Sequence, residues 1–316
     1  MTALTTLSRG YLPPVSFDRA FGRDALHEAA TALAERGDWQ PARALLRASE
    51  GDWALKDHQV QYLGDRTDGA AALEAWATAE PGDPDPLSVL ALVEVVRAWE
   101  VRGNGSAQHV EQDAWPVFHA HLGQADRLTA KASALAPHDP TPLAVAIRTA
   151  RGLQVSRGEF DHRWAALTAV DPLHLSGHRD ALQYLCAKWY GSQEEMFAFA
   201  RDAADRAPAG HSLVLLPLLA HQEQLLEDHT WIESPQIGID MAAVRKRWRE
   251  TTPLAHSRLS DDHSLLAAFL GMTHRHAQAA VHFRAMGRHA STLGWKYSLT
   301  PRFSFLRARA KALRAS

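Results

Sequence analysis

Apolar residues recur at intervals of three and four along much of the chain, the periodicity of α-helices that bury one face. The segments DALHEAATALAERG (24–37) and QADRLTAKASALAP (124–137) show this pattern in residues that favour helices. Alternating β-branched stretches and Asn-Gly hairpin signals are missing from the sequence. The pattern therefore predicts an all-α protein.

Glycines and prolines divide this helical pattern at a regular interval. Three glycines that open helical segments are 35 and 33 residues apart, and three prolines that close them are 35 and 36 apart. A period of this length, split by a glycine turn and closed by a proline, is typical of helix–turn–helix repeats. One helix pair cannot bury its own apolar face, so we expect neighbouring pairs to stack. The six residues are Gly123, Gly158, Gly191, Pro137, Pro172 and Pro208.

The spacing resembles that of the tetratricopeptide repeat family, in which a glycine between the helices precedes the closing proline by 17 residues. The intervals 64–81 and 191–208 both match, and Ala42 follows Gly37 by five residues, where the family has a small residue. The resemblance covers about residues 17–225. It implies a right-handed superhelical solenoid whose first helices line a concave surface. The stretch KWYGSQEEMFAFAR is also similar to one in bacterial helical-repeat proteins, a similarity that implies no activity.

The same spacing divides the chain into three parts. We predict an N-terminal extension at 1–16, repeats over 17–226 and a C-terminal helical part at 227–316, with a basic surface, packed on the same solenoid. The joints EPGDPDPL (80–87) and APHDPTPL (136–143) are expected to end one helix and begin the next, because proline is tolerated in a first turn.

The remaining stretches give further local predictions. GNGSAQHVEQD (103–113) and EDHTWIESPQIGID (227–240) are predicted to be loops, the second followed by a basic helix around MAAVRKRWRE. A helix pair is predicted at about 261–293 and a terminal helix from Pro301.

Composition is that of a soluble globular protein, with 46% apolar and 22% charged residues. The single cysteine, Cys186, cannot form an internal disulfide, and its place on the apolar face of ALQYLCAKW predicts burial. The apolar run LVLLPLLA (213–220) is too short to span a bilayer, and the N-terminal stretch lacks a secretory pattern. These features predict a cytoplasmic protein without a membrane partner.

Charge is unevenly distributed, although the net charge is only −2. Residues 241–316 contain 14 Lys/Arg and three Asp/Glu, a balance of +11, while residues 1–240 carry −13. Such segregation favours an anionic partner, or contact between the two ends of one molecule or of two copies. The basic residues around Trp248 and those of 302–314 make nucleic acid an alternative partner.

The stretch KWYGSQEEMFAFAR suggests a site but is explained mostly by architecture. Ser192 and Glu195 have the spacing of a capping box at a helix start. Met196, Phe199, Ala200 and Ala203 fall on one helical face, and Trp189 is predicted to continue the face of the preceding helix with Leu182, Leu185 and Cys186. Only Tyr190 and Glu194 have no structural role in this interpretation.

Histidine is the most informative residue type, because it titrates near neutrality and binds metals. His178, His221 and Glu223 are predicted on first helices, and we expect them to converge with Trp189, Tyr190 and Glu194 on one polar binding surface. The residue His174 is expected to precede its helix.

Other histidines and one proline add further expectations. His282 and His289 are seven residues apart and are expected to share a cationic helix face with Arg275. Pro217 predicts a kink or break within 210–226. No zinc-binding, nucleophile-elbow or phosphate-loop motif occurs, so we predict neither a metal site nor a cofactor and assign no catalytic residue.

Two classes of function follow from these patterns. The first is a non-enzymatic interaction module that binds a protein or peptide segment in a concave groove. The alternative is a helical-repeat enzyme or small-molecule-binding protein with a His/Trp/Glu-lined pocket. An open groove would favour the first, and a deep enclosed pocket the second.

Overall fold

The computed structural model describes residues 12–20, 22–103, 110–249 and 259–316, and every regular element in these ranges is helical. The prediction of an all-α protein is confirmed. The α-helices are α1 (Asp24–Thr31), α2 (Gln40–Ala48), α3 (Trp53–Gly64), α4 (Ala70–Ala79), α5 (Asp85–Arg102), α6 (Ala114–Leu135), α7 (Pro140–Gly152), α8 (Arg157–Val170), α9 (Leu175–Tyr184), α10 (Gln193–Arg206), α11 (Leu216–Glu227), α12 (Pro235–Arg249), α13 (Leu259–Met272), α14 (His276–Met286) and α15 (Pro301–Arg314). Over these residues, none of the helices combines the length and apolar character needed to cross a membrane.

The closing prolines mark helix ends as predicted. Each of them lies two residues beyond the last residue of a helix, after α4, α6, α8 and α10. Asp139 then caps α7 by accepting a hydrogen bond from the Thr141 backbone N–H at 2.8 Å, while Pro140 occupies the first helical position. The joint at 80–87 likewise ends α4 and begins α5. The four prolines are Pro81, Pro137, Pro172 and Pro208.

Several local predictions need correction. Gly123 is not a turn residue but lies inside α6, because the helix that starts at Ala114 continues through it to Leu135. The predicted loop 227–240 is wrong in its second half, where Pro235 begins α12. The loop predicted at 103–113 lies mostly outside the described residues.

Two predictions about shared helix faces also fail. Trp189 does not continue the face of α9, because that helix ends at Tyr184 and turns follow. His282 and His289 do not share a helix, because α14 ends at Met286 and Gly287 takes a left-handed conformation with φ of 57°.

The predicted interruption near Pro217 is confirmed. A short 3₁₀ segment at Ser212–Leu215 precedes α11, and Pro217 lies in the first turn of the new helix, where its missing N–H costs nothing. The helix pair predicted at 261–293 corresponds to α13 and α14, and the terminal helix begins at Pro301 as predicted.

The helix within KWYGSQEEMFAFAR begins where the sequence predicts. Ser192 caps α10 by accepting from the Glu195 N–H at 3.1 Å. Met196, Ala200 and Ala203 are buried in the core. Gly191 lies in the turn before α10. Only glycine fits there, because a Cβ would collide with the Leu185 carbonyl.

The two ends of the described chain meet. The Ser16 N–H donates to the Arg288 carbonyl at 2.7 Å, and the Ala290 N–H donates back to the Ser16 carbonyl at 2.8 Å. The buried Arg309 of α15 donates to the Pro13 carbonyl at 3.0 Å. Phe17 packs edge-on against Phe305 with ring centroids 5.3 Å apart. The N-terminal segment 12–20 is therefore held against the C-terminal helices.

Candidate functional site

The segment 12–20 forms part of the wall of a partly open cavity of about 520 Å³. The other walls come from α3, α7, α9, α11, the start of α13 and the stretch between α14 and α15. A volume of this size suits a small organic molecule. Six lysine and arginine side chains line the cavity, against three aspartates. The cations are Arg19, Arg23, Arg148, Arg179, Lys296 and Arg302, and the acids are Asp18, Asp180 and Asp261.

α3 supplies part of the cavity wall and is polar although it is buried. Five of its polar side chains between positions 56 and 61 are each at most 5% exposed. The Ser176 hydroxyl donates to Asp57 at 2.6 Å, and the Ser49 hydroxyl donates to Gln59 at 2.7 Å. Buried polar groups are tolerated when such partners satisfy them. α3 therefore ties several other helices together through side-chain hydrogen bonds.

Lys56 is the charged anchor of this helix. Its ammonium group lies 2.7 Å from a carboxylate oxygen of Asp85 and 2.7 Å from one of Asp139. Burial alone would lower the pKa of Lys56, but the two carboxylates outweigh it and raise the pKa. A protonated lysine thus joins α3 to the starts of α5 and α7.

Arginine–aspartate pairs form the polar part of the cavity wall. Arg148 of α7 donates to Asp180 of α9 at 3.0 Å and to the Gln61 amide oxygen of α3 at 3.0 Å. Arg179 of α9 donates to Asp261 of α13 at 3.4 Å. These pairs hold four helices at fixed distances and present both donors and acceptors toward the cavity.

A second group of side chains forms the cationic end of the cavity. Arg23 donates to the ring nitrogen Nε2 of His58, and burial lowers the pKa of Arg23. Arg302 lies over the Phe17 ring, with 5.5 Å between the guanidinium carbon and the ring centroid. His289 lines the same space, and its ring lies 3.2 Å from where a Cβ on Gly22 would be. Two arginines and two imidazole rings from four separate stretches of the chain therefore converge here.

Glu223, predicted as a binding residue, is buried and does not line the cavity. Its carboxylate forms ion pairs with two lysines. Lys188 contacts one carboxylate oxygen at 2.5 Å, and Lys296 contacts the other at 2.7 Å. Gln183 and Tyr297 also donate to it. Burial would raise the pKa of Glu223, but the two lysines lower it to about 2. Glu223 therefore orients Lys296, which itself lines the cavity.

His221, also predicted as a binding residue, is fully buried between α11 and α12. The indole N–H of Trp231 donates to its Nδ1 at 2.9 Å, so Nε2 carries the proton and donates to Asp240 at 2.9 Å. Burial lowers the pKa of His221, while the adjacent Asp240 carboxylate opposes the change. Arg201 completes the network at 3.0 Å from Asp240. This arrangement fixes one tautomer and joins two helices.

The remaining four predicted binding residues lie in three different surroundings. His178 is buried, with its ring edge-on to Trp164, and burial lowers its pKa to about 4. Trp189 lies beside Arg151, and the Tyr190 hydroxyl donates to the Arg151 carbonyl at 3.2 Å. The carboxylate of Glu194 is exposed at the start of α10.

The six predicted residues are therefore not brought together. His178, Trp189, Tyr190, Glu194, His221 and Glu223 are all described, and none of them lines the 520 Å³ cavity. Cys186 is buried as predicted, and burial raises the pKa of its thiol to about 12.

Sequence reasoning missed the cationic lining. Arg23, His58 and Arg148 gave no signal of their own, because each is an ordinary polar residue in a helical pattern. One signal was present in α3, where WALKDHQVQYLG interleaves polar and apolar residues on all sides. A helix of that composition must find polar partners inside the protein.

Comparisons with protein-family models, with curated proteins and with solved structures return no match. Within residues 12–20, 22–103, 110–249 and 259–316, no group of three or more His, Cys, Asp or Glu side chains is arranged to hold a metal ion.

Proposed function

We propose that this protein binds a small anionic molecule in the cavity between the N-terminal segment and α3, α7 and α9. The observation that carries the proposal is the convergence of the Arg23 and Arg302 guanidinium groups on a partly open space of about 520 Å³. Hydrogen bonds from charged donors are about twice as strong as neutral ones. They are stronger still where water is excluded, because the local dielectric constant is lower. A carboxylate or phosphate group would lie at the end formed by Arg23, His58, His289 and Arg302.

The polar wall would recognise the rest of the molecule. Arg148 and Arg179 are already balanced by aspartates, so this side offers paired donors and acceptors rather than net charge. Such groups suit hydroxyl or amide functions of a ligand. The ligand class is therefore a polar molecule with an anionic group at one end.

The fold proposal is that the helix pairs stack as a right-handed tetratricopeptide-like superhelix, with α3, α7, α9 and α11 on its inner side. The intervals of 35 and 36 residues between Pro137, Pro172 and Pro208 support it. The predicted peptide-binding groove stays a prediction. It competes with the small-molecule proposal for the same inner helices, because segment 12–20 lines the cavity together with α3 and accepts a hydrogen bond from the Tyr62 hydroxyl through Asp18.

Calorimetric titration with inorganic pyrophosphate and with citrate tests the small-molecule proposal. We expect saturable binding to the wild type. The double variant Arg23→Gln/Arg302→Gln should bind roughly tenfold or more weakly, because each cation contributes a charge-assisted hydrogen bond. The matched control Arg36→Gln/Arg206→Gln removes two exposed arginines on outer helices and should bind like the wild type.

Two results would count against the proposal. One is equal weakening in the cavity and control variants, which would indicate nonspecific charge effects. The other is saturable binding of an acidic peptide with no binding of either small anion, which would restore the groove prediction.

A further inference from the structure

The outer face of α15 and the turn before it combine exposed apolar side chains with exposed arginines. Leu299 is fully exposed, and Phe303 is 64% exposed. Leu306 follows Phe303 by three residues, so the two lie on one helix face. We call Leu299, Phe303 and Leu306, with the flanking Arg307 and Arg314, the α15 patch.

The stretch of chain that carries the patch has charges of a single sign. Residues 263–316 contain nine Lys/Arg and no Asp or Glu. On α15 itself, Arg307 and Arg314 are exposed on the outer face. Arg284 of α14 donates to the Ser316 hydroxyl, so the basic end of α14 adjoins the end of α15.

The inner face of α15 is already occupied. Phe305 packs between Trp295 and Phe283, with ring centroids 5.1 and 5.3 Å away. Ala312 is buried in the same core. The helix is therefore fixed to the protein, and its outward apolar residues are not needed for that attachment.

We propose that the α15 patch docks on an anionic lipid surface, a partner that differs from the sequence-based prediction of no membrane partner. Basic side chains near such a surface are attracted to its negative potential, and apolar side chains that protrude beside them can enter the boundary of the acyl region. Stable attachment takes two such signals, and the patch supplies both. This proposal does not depend on the interior cavity, since none of the five patch residues lines it.

Charge complementarity alone would also suit nucleic acid, but the apolar residues favour lipid. Two of the three are aliphatic, and contacts to single-stranded nucleic acid rely on aromatic stacking rather than on leucine. The nucleic-acid alternative predicts binding that depends on Arg307 and Arg314 and is indifferent to Leu299 and Leu306.

Vesicle co-sedimentation of the full chain tests the proposal, with vesicles of phosphatidylcholine alone and of phosphatidylcholine and phosphatidylserine in equal amounts. We expect the wild type to sediment with the mixed vesicles and to remain in solution with the neutral ones. The triple variant Leu299→Ser/Phe303→Ser/Leu306→Ser should lose roughly tenfold or more in partitioning, because the apolar signal is removed.

Two matched variants separate the causes. Arg307→Gln/Arg314→Gln should also weaken binding to the mixed vesicles, by roughly thirtyfold for two charges at about 1 kcal/mol each. The control Ile239→Ser/Val117→Ser changes two exposed apolar residues on other helices and should behave like the wild type. Thermal unfolding of each variant checks that it is folded.

Three outcomes would overturn the proposal. The first is no sedimentation with the mixed vesicles. The second is a triple variant that partitions like the wild type. The third is tight binding of a labelled DNA duplex that is unchanged in the triple variant, together with weak vesicle binding, which would assign the patch to nucleic acid.

Discussion

Two helices of this protein, α3 and α10, are packed into the interior by opposite rules. α10 buries Met196, Phe197, Ala200 and Ala203 and turns its acidic side chains outward. α3 buries a lysine, an aspartate, a histidine and two glutamines within six positions. The comparison shows that burial in this protein is achieved either by apolar packing or by matched polar partners, and that the second kind surrounds the cavity.

The largest expected effect on stability is that of a substitution in the polar helix α3. Lys56→Ala should lower the free energy of unfolding by about 3–5 kcal/mol, because it leaves Asp85 and Asp139 buried without their cation. Urea denaturation measures the change. The exposed Arg206→Ala on α10 is the matched control and should shift stability by less than about 0.5 kcal/mol. A loss below about 1 kcal/mol for Lys56→Ala would show that α3 is not held by its ion pairs.

The next largest effect on stability is expected from a substitution in the apolar face of α10. Met196→Ala should cost about 3 kcal/mol, since it removes buried methylene groups and leaves a cavity in the core. Glu194→Gln, two residues earlier on the exposed side, should change stability by less than about 0.5 kcal/mol. Equal effects of the two substitutions in denaturant titrations would mean that α10 is not packed as described.

These two helices also show how far the sequence could lead. In α10 the capping serine and the apolar face were predictable, because one side of the helix faces solvent and the other faces the core. In α3 the side chains reach partners from distant parts of the chain, such as Ser176 for Asp57. No local pattern encodes a partner that is 119 residues away. Arg148 and Gln61 are a similar case, 87 residues apart.

The predicted binding residues lie outside the cavity for the same physical reason. His221 and Glu223 were predicted to lie on an inner helix, but their side chains are occupied by Asp240, Lys188 and Lys296. The cavity is instead completed by segment 12–20, whose contact with residues 288–290 depends on the closure of the whole chain. Such closure leaves no signature in helical periodicity.

A pH effect of about 3 kcal/mol is expected from His178. Burial lowers its pKa from 6.5 to about 4, so between these values the unfolded chain binds a proton that the native protein does not. Stability should therefore fall as the pH decreases from 6.5 to about 4. Urea titrations across this range measure the slope. His178→Gln should flatten it, while replacing the exposed His27 by Gln should not; an unchanged slope in His178→Gln would contradict the burial.

The smallest expected effects come from removing single hydroxyl groups that donate to or cap α3 and α10. Ser192→Ala should cost about 1 kcal/mol, because α10 loses its N-cap. Ser176→Ala should cost about 1–3 kcal/mol, because it leaves one oxygen of Asp57 without its donor in the interior. Thermal unfolding measures both. A larger loss for Ser192→Ala than for Ser176→Ala would reverse the contrast drawn between α10 and α3.

The central claim is that the cationic cavity holds an anion, and the most direct test is where an anion binds. A crystal of the full chain soaked in tungstate, a heavy analogue of phosphate, would locate the ion by anomalous scattering. We predict the strongest peak inside the cavity, within hydrogen-bonding distance of Arg23 and Arg302, and its loss in the Arg23→Gln/Arg302→Gln variant. Peaks confined to the outer basic surface of α14 and α15, with an empty cavity, would contradict the account.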